Sequence, residues 1–268
     1  PTSNVKSTVI NNEKALESAL YFTDNYTFNS KLKLDAGVRL NIYNYLGPQT
    51  IRNYNPNYPK EISNVLSETQ YASGANIKTY FAPDIRLALR YAFDETFSMK
   101  LGYNSMSQFI HSISNSTIVS PTDIWKLSDP NIKPQHGDQL SFGLYKTVSQ
   151  NEYELSIEGY YKNINNYLDY KSGAVLIMNP HLETDVYETK GKAYGVELYA
   201  KKNSGKLTGW ISYTYARALF QFKDPLTGES INNGAEYPSN YDKPNDLTTI
   251  LNYRITHRYS FSFNTTYS

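Results

Sequence analysis

The residues best suited to recognition lie in two polar stretches. In one, Asp123, Ile124, Trp125 and Lys126 set an indole between a carboxylate and an ammonium. An exposed indole stacks on sugars and other planar ligands, and polar groups beside it fix orientation. In the other, LGPQTIRNYNPNYPK over 46–60, prolines stiffen a segment that carries Arg52, Tyr54 and Tyr58. The plainer reading of Trp125, as packing against neighbouring loops or extending an aromatic belt, carries the greater weight. Covalent chemistry has thinner support. There is no cysteine, and the four histidines, His111, His136, His181 and His257, are scattered without ligand spacing, so no metal centre is expected. Ser112 and Asn115 follow His111, as chance supplies in loops rich in Ser and Asn. Glu154 and Glu158 share one face of an extended segment about 13 Å apart, too far to act on a single bond. Phosphate-loop and dinucleotide motifs are absent, and 224–237 lacks the spaced acids of a calcium loop. No enzyme activity and no cofactor are expected.

What must position these residues is β structure. The chain has 268 residues, with 26 basic and 25 acidic side chains, so its balance calls for neither a nucleic acid nor a polybasic membrane surface. No apolar run approaches the ~18 residues of a spanning helix. Yet 26 tyrosines and 11 phenylalanines against 19% charged residues suit strands that face two different media. The segment 85–93 sets Ile85, Leu87, Leu89, Tyr91 and Phe93 against Arg86, Ala88, Arg90 and Ala92, the period of two that a sheet requires. The same alternation predicts ten strands in five hairpins, near 16–28, 32–45, 77–93, 97–109, 138–148, 152–170, 191–202, 206–222, 245–255 and 259–268. Short connections alternate with long ones at 46–76, 110–137, 171–190 and 223–244. That layout is an antiparallel up-and-down transmembrane β-barrel.

Length and rims agree. Ten alternating residues tilted by ~45° rise about 23 Å, close to the ~25 Å apolar band of such barrels. Phe22, Phe28, Phe93, Phe97, Tyr103, Tyr153, Tyr161, Tyr213, Tyr215, Tyr253, Phe261 and Phe263 fall where that band should end, as expected of an aromatic girdle. Over 32–42 the even residues, Leu32 to Ile42, are expected to face outward and Lys33, Asp35, Gly37, Arg39 and Asn41 inward. Over 153–161 the odd residues face outward. Arg39, Arg86, Arg90, Lys100, Glu154, Glu158 and Glu197 then form a charged inner wall that faces a plug or the lumen. Ten strands leave unpaired edges that hydrocarbon does not tolerate, and the alternation runs into the last residue, so both ends are expected to be cuts through a longer protein.

At this point a family resemblance becomes specific. SNSTIVSPTDIWKLSDPNIKPQHGDQLSFGLY (114–145) with YELSIEGYYKNINNYLDY (153–170) resembles the barrel of a TonB-dependent outer-membrane receptor, of the Bacteroidetes type. ALYFTDNYTFNSKLKLDAGVRLNIY (19–43), KAYGVELYAKK (192–202) and GWISYTYARA (209–218) are similar to further strands of that barrel. The resemblance implies that residues 1–268 are part of one transmembrane barrel domain of about 22 strands with a plugged lumen, whose plug and terminal strands lie outside this sequence. It implies an outer-membrane location and energy-coupled import of a nutrient: a siderophore, glycan, cobalamin or peptide. The implied partners are outer-membrane lipid, the TonB complex acting through N-terminal parts not present here, and a surface lipoprotein. Two alternatives are a passive porin or adhesin-type barrel and a soluble carbohydrate-binding β-sandwich.

Overall fold

A computed structural model describes residues 12–113, 124–150, 152–176 and 178–268. Its strands in chain order are β1 (Lys14–Thr27), β2 (Leu32–Leu46), β3 (Gln49–Tyr54), β4 (Val65–Tyr71), β5 (Asn76–Ala92), β6 (Phe97–Gln108), β7 (Ile110–Ile113), β8 (Ile124–Leu127), β9 (Gln135–Val148), β10 (Tyr153–Tyr170), β11 (Val186–Lys202), β12 (Leu207–Gln221), β13 (Tyr237–Pro238), β14 (Asn245–Arg254) and β15 (Ser260–Tyr267). Ten of them form one antiparallel meander in the order β1-β2-β5-β6-β9-β10-β11-β12-β14-β15. This is a single continuous sheet, not the pair of facing sheets that a sandwich needs. Its edges are β1 and β15, which are not paired with each other among the described residues.

The strands keep the register that alternation demands, so whole rows of like residues run across the sheet. One row is Leu34, Leu89, Leu101, Phe142, Gly159, Val196 and Tyr215. The next residue along each strand belongs to the other face: Lys33, Arg90, Lys100, Gly143, Glu158, Glu197, Thr214 and Asp246. The apolar face is exposed at Leu20, Phe22, Val38, Leu40, Leu87, Leu101, Leu140, Leu155, Leu198 and Ile211. A soluble domain does not leave so wide an apolar surface in water, and a membrane wall requires one.

Aromatic rings and ammonium groups mark the turn-side rim. Phe93 stacks on Phe97 at 4.8 Å, and the Lys146 ammonium lies 5.5 Å above the Phe97 ring. At the next hairpin Lys202 sits 4.3 Å above the Tyr153 ring. Rings with a wet end and long basic side chains both settle at a headgroup boundary. The short turns hold themselves. Asn29 Oδ1 accepts from the Lys31 and Leu32 amides at 2.8 and 2.9 Å, and Asp94 Oδ1 from Thr96 and Phe97 at 2.7 and 2.8 Å.

The long connections depart from a plain-loop expectation. Within 46–76, β3 and β4 form a hairpin of their own, and within 110–137 so do β7 and β8. Expected strand starts at 138 and 191 move to Gln135 and Val186. The tip of β10 continues beyond a bulge between Ile164 and Tyr167, with Asn166 at φ 56°, and its extension pairs with Val186–Thr189. The bulge breaks the period of two, so alternation places the end of β10 at Tyr170 but opens its partner at 191 instead of Val186.

Candidate functional site

Above the polar face, 109–113 and 124–134 pack over the sheet as a strap. Tyr43 stacks on Phe109 at 4.7 Å and donates to the Ser128 carbonyl at 2.9 Å; Tyr80 donates to the Asp129 carbonyl at 2.8 Å. The Asp129 carboxylate accepts from the Asn131 and Ile132 amides at 2.7 and 2.9 Å and takes the Lys126 ammonium at 2.6 Å. Lys126 also meets Glu13, whose other oxygen accepts from the Leu127 amide at 2.8 Å. Lys126 is therefore a buried fastener. Burial alone pulls its ammonium pKa down, but Asp129 and Glu13 outweigh that and leave it raised. His111, buried 3.0 Å from Ser128 Oγ, is pushed down to about 4 by burial and by Lys126. Trp125, one residue from the fastener, is 61% exposed. Asp123, Asn115 and the rest of 114–123 lie outside the described residues.

The second recognition stretch reaches a cleft of about 640 Å³ between the 49–71 hairpin and the tips of β11 and β12. Tyr54 and Tyr58 line it. Arg52 stands one pleat back, with Nε donating to Glu68 at 2.8 Å, and its Nη1 is buried without a hydrogen-bond partner among the described residues. Tyr54 donates to Glu183 at 2.9 Å; burial and that carboxylate raise its phenol pKa. Opposite them Tyr187 stacks on Phe222 at 4.2 Å. Five lysines and three carboxylates share the lining. Lys171 pairs with Glu229 at 3.0 Å and Lys133 with Glu188 at 3.3 Å. Lys190 and Lys223 have no acidic partner among the described residues. The structure thus brings Tyr54 and Tyr58 together with lysines that sequence reasoning passed over, and leaves Trp125 and Lys126 elsewhere. The missed signal was the pairing of ring and cation at strand tips, Tyr187 with Lys190 and Phe222 with Lys223.

The charged wall occupies the polar face. Glu17, Asp35, Arg39, Asn41, Asp84 and Arg86 line a hollow of about 690 Å³. There Arg39 donates to Asn41 at 2.6 Å and Asn41 to Asp84 at 2.7 Å. Arg90 stands opposite Lys33 and Lys100, and Glu158 opposite Glu197, so along that one row the cations lie on β2, β5 and β6 and the carboxylates on β10 and β11. A Cβ on Gly143, between the two groups, would lie 2.6 Å from the Tyr145 hydroxyl, so the missing side chain leaves room for that ring. Glu154 is drawn to the turn side by Lys201 at 3.7 Å and Asn203 at 2.6 Å. It shares no site with Glu158. His136 lies 3.0 Å from Ser107 Oγ and 3.3 Å from Asp138; His181 lies 3.4 Å from Glu183. Among the described residues no three His, Asp or Glu side chains are grouped to hold a metal ion.

One exposed apolar face, one charged face, tight turns at one end and structured loops at the other define the wall of an outer-membrane barrel. The family model described as TonB dependent receptor-like, beta-barrel, matches residues 1–268, and the chain belongs to that family. Its location is the bacterial outer membrane. None of the curated proteins matches the sequence. Among solved structures, the chain is similar to the ferric-catecholate import receptor Fiu from E. coli K12, with a TM-score of 0.59 and 15% identity over 94% of this chain and 34% of that one. The FrpB iron transporter from Neisseria meningitidis gives 0.59 and 12% over 96% and 33%. The pyoverdine outer membrane receptor FpvA from Pseudomonas aeruginosa PAO1 gives 0.53 and 14% over 92% and 29%. The likeness is one of fold, and the chain spans about a third of the length of these receptors.

Proposed function

We propose that residues 1–268 form part of the transmembrane wall and the outward loops of a larger, plugged receptor that imports a scarce nutrient by coupling to the TonB complex. The observation that carries this reading is the segregated charge row on the polar face. Like charges directly opposite one another destabilise a sheet, and here Lys33, Arg90 and Lys100 adjoin on one side while Glu158 and Glu197 adjoin on the other. A folded plug with acidic groups toward β2–β6 and basic groups toward β10–β11 offsets both repulsions. A passive, water-filled porin has no such occupant. The outward loops, with Tyr54, Tyr58, Arg52 and the exposed Trp125, supply ligand contacts. The cargo belongs to the siderophore, glycan, cobalamin or peptide classes, and the Bacteroidetes-type resemblance of 114–145 and 153–170 adds a surface lipoprotein as a partner.

The test has two stages. The parent protein is expected to require detergent and to migrate faster unboiled than boiled. Uptake of its ligand by cells is then expected to stop when the TonB gene is deleted. Uptake that persists unchanged in the deletion strain supports the passive barrel instead.

A further inference from the structure

We infer that the cleft between the 49–71 hairpin and the tips of β11 and β12 captures an anionic ligand that carries a planar ring. This deepens the receptor reading and rests on it for biological purpose, but binding itself needs no energy coupling.

The polar groups of the cleft are unevenly engaged. A neutral sugar presents hydroxyl donors and needs acceptors. The acceptors here are engaged: Glu229 by Lys171 at 3.0 Å, Glu188 by Lys133 at 3.3 Å and by the Lys133 amide at 2.8 Å, and Asp224 by the Leu226 amide at 2.9 Å. The donors are not. Lys190 and Lys223 have no acidic partner among the described residues, and Lys60 uses one of its three donors on the Asn131 carbonyl at 2.6 Å. Three ammonium groups therefore face the cleft with Asp224 as the one carboxylate not already in an ion pair there. Concave walls concentrate such a field and raise the local concentration of anions.

Shape adds the ring. Tyr187 and Phe222 stack on each other at 4.2 Å with 29° between their planes, and the Lys171 ammonium lies 5.0 Å from the Tyr187 ring, so Phe222 keeps an outer ring face on one wall, with Tyr54 on the other. A volume of about 640 Å³ accepts a ring with several substituents.

The experiment uses the intact protein in detergent and three probes followed by calorimetry: benzene-1,3,5-tricarboxylate, the ringless propane-1,2,3-tricarboxylate, and maltoheptaose. The aromatic tricarboxylate is expected to bind, to weaken as salt rises, and to exceed the ringless one by about fivefold. The double variant Lys190→Gln/Lys223→Gln is expected to lose about tenfold in affinity for both anions, while its detergent-solubilised barrel keeps heat-modifiable migration. Equal binding of the two anions overturns the ring. Binding indifferent to the lysine pair, no anion binding, or binding of maltoheptaose alone overturns the inference. Because all of these are read without transport, a failure of TonB-dependent uptake leaves them standing as a separate result.

Discussion

Replacing Lys126 by methionine is the sharpest test of how the strap is held. The ammonium lies between Glu13 and Asp129, and its side chain is 14% exposed. Methionine keeps most of the volume and removes the charge. The two carboxylates keep their amide partners, Leu127 for Glu13 and Asn131 and Ile132 for Asp129, but each loses its counter-ion in a place that water reaches poorly. Breaking a buried pair from one side costs about 3–5 kcal/mol. Taking about 3 kcal/mol, and a tenfold change in opening for every ~1.4 kcal/mol, amide exchange within 124–134 should accelerate about a hundredfold. Strands β9 to β12 should keep their exchange rates, because the loss is local to the strap. Exchange in 124–134 within threefold of the parent would refute the claim that this ion cluster fastens the strap; the aromatic contact of Tyr43 with Phe109 would then be the true anchor.

Acid should loosen the same segment. In the docked strap His111 takes up its proton only near pH 4, whereas once opened it does so near 6.5. The opened state therefore binds more protons between those values. Stability is full above about 6.5 and falls by up to ~1.4 kcal/mol per pH unit toward 4, roughly 3 kcal/mol in all; His111→Gln should flatten that profile in exchange measurements. On the membrane face, Leu101→Arg should lower urea-unfolding stability in lipid by about 2–4 kcal/mol, while Lys100→Arg, one residue away on the polar face, should change it little. If the polar row meets a plug, Glu158→Gln combined with Glu197→Gln should raise ion conductance of the intact protein in planar bilayers; conductance equal to the parent's removes the plug-facing role. Gly209→Ala should be strongly destabilising, because φ is +142° and the new methyl would lie 2.0 Å from the Ile250 carbonyl, and thermal unfolding in detergent would show it.

The wall was legible because each of its residues answers to one rule. Leu87 and Leu89 against Arg86 and Arg90 can only be satisfied by a strand with two unlike faces, and the same logic recovers all ten wall strands. The rule fails where the backbone leaves it. Asn166 adds a residue without a partner, so the alternation of β10 changes phase and the pairing of Tyr187 and Thr189 beyond it is hidden. The site was harder. Tyr54 and Tyr58 could be singled out as rings in a polar, proline-stiffened loop, but Lys190 and Lys223, which face them, come from strand tips more than 130 residues away. Lys126 misleads in the other direction. Its neighbours in sequence make it resemble a ligand contact, while it is held by Asp129 and by Glu13, whose position at the entry to β1 no local pattern reveals.

The meander has a consequence for how such a wall is made. Each wall strand between the edges β1 and β15 pairs with the wall strand before it and the one after it, with no crossover in the order. The sheet can therefore grow by one hairpin at a time, from either side, without threading. At each stage, however, the newest strand presents a full row of bare N–H and C=O groups, each several kcal/mol too costly to leave in hydrocarbon. Growth in open lipid would stall at the first hairpin. A simple order of strands thus carries a demanding requirement: the advancing edge must be sheltered by another protein surface until its next neighbour arrives.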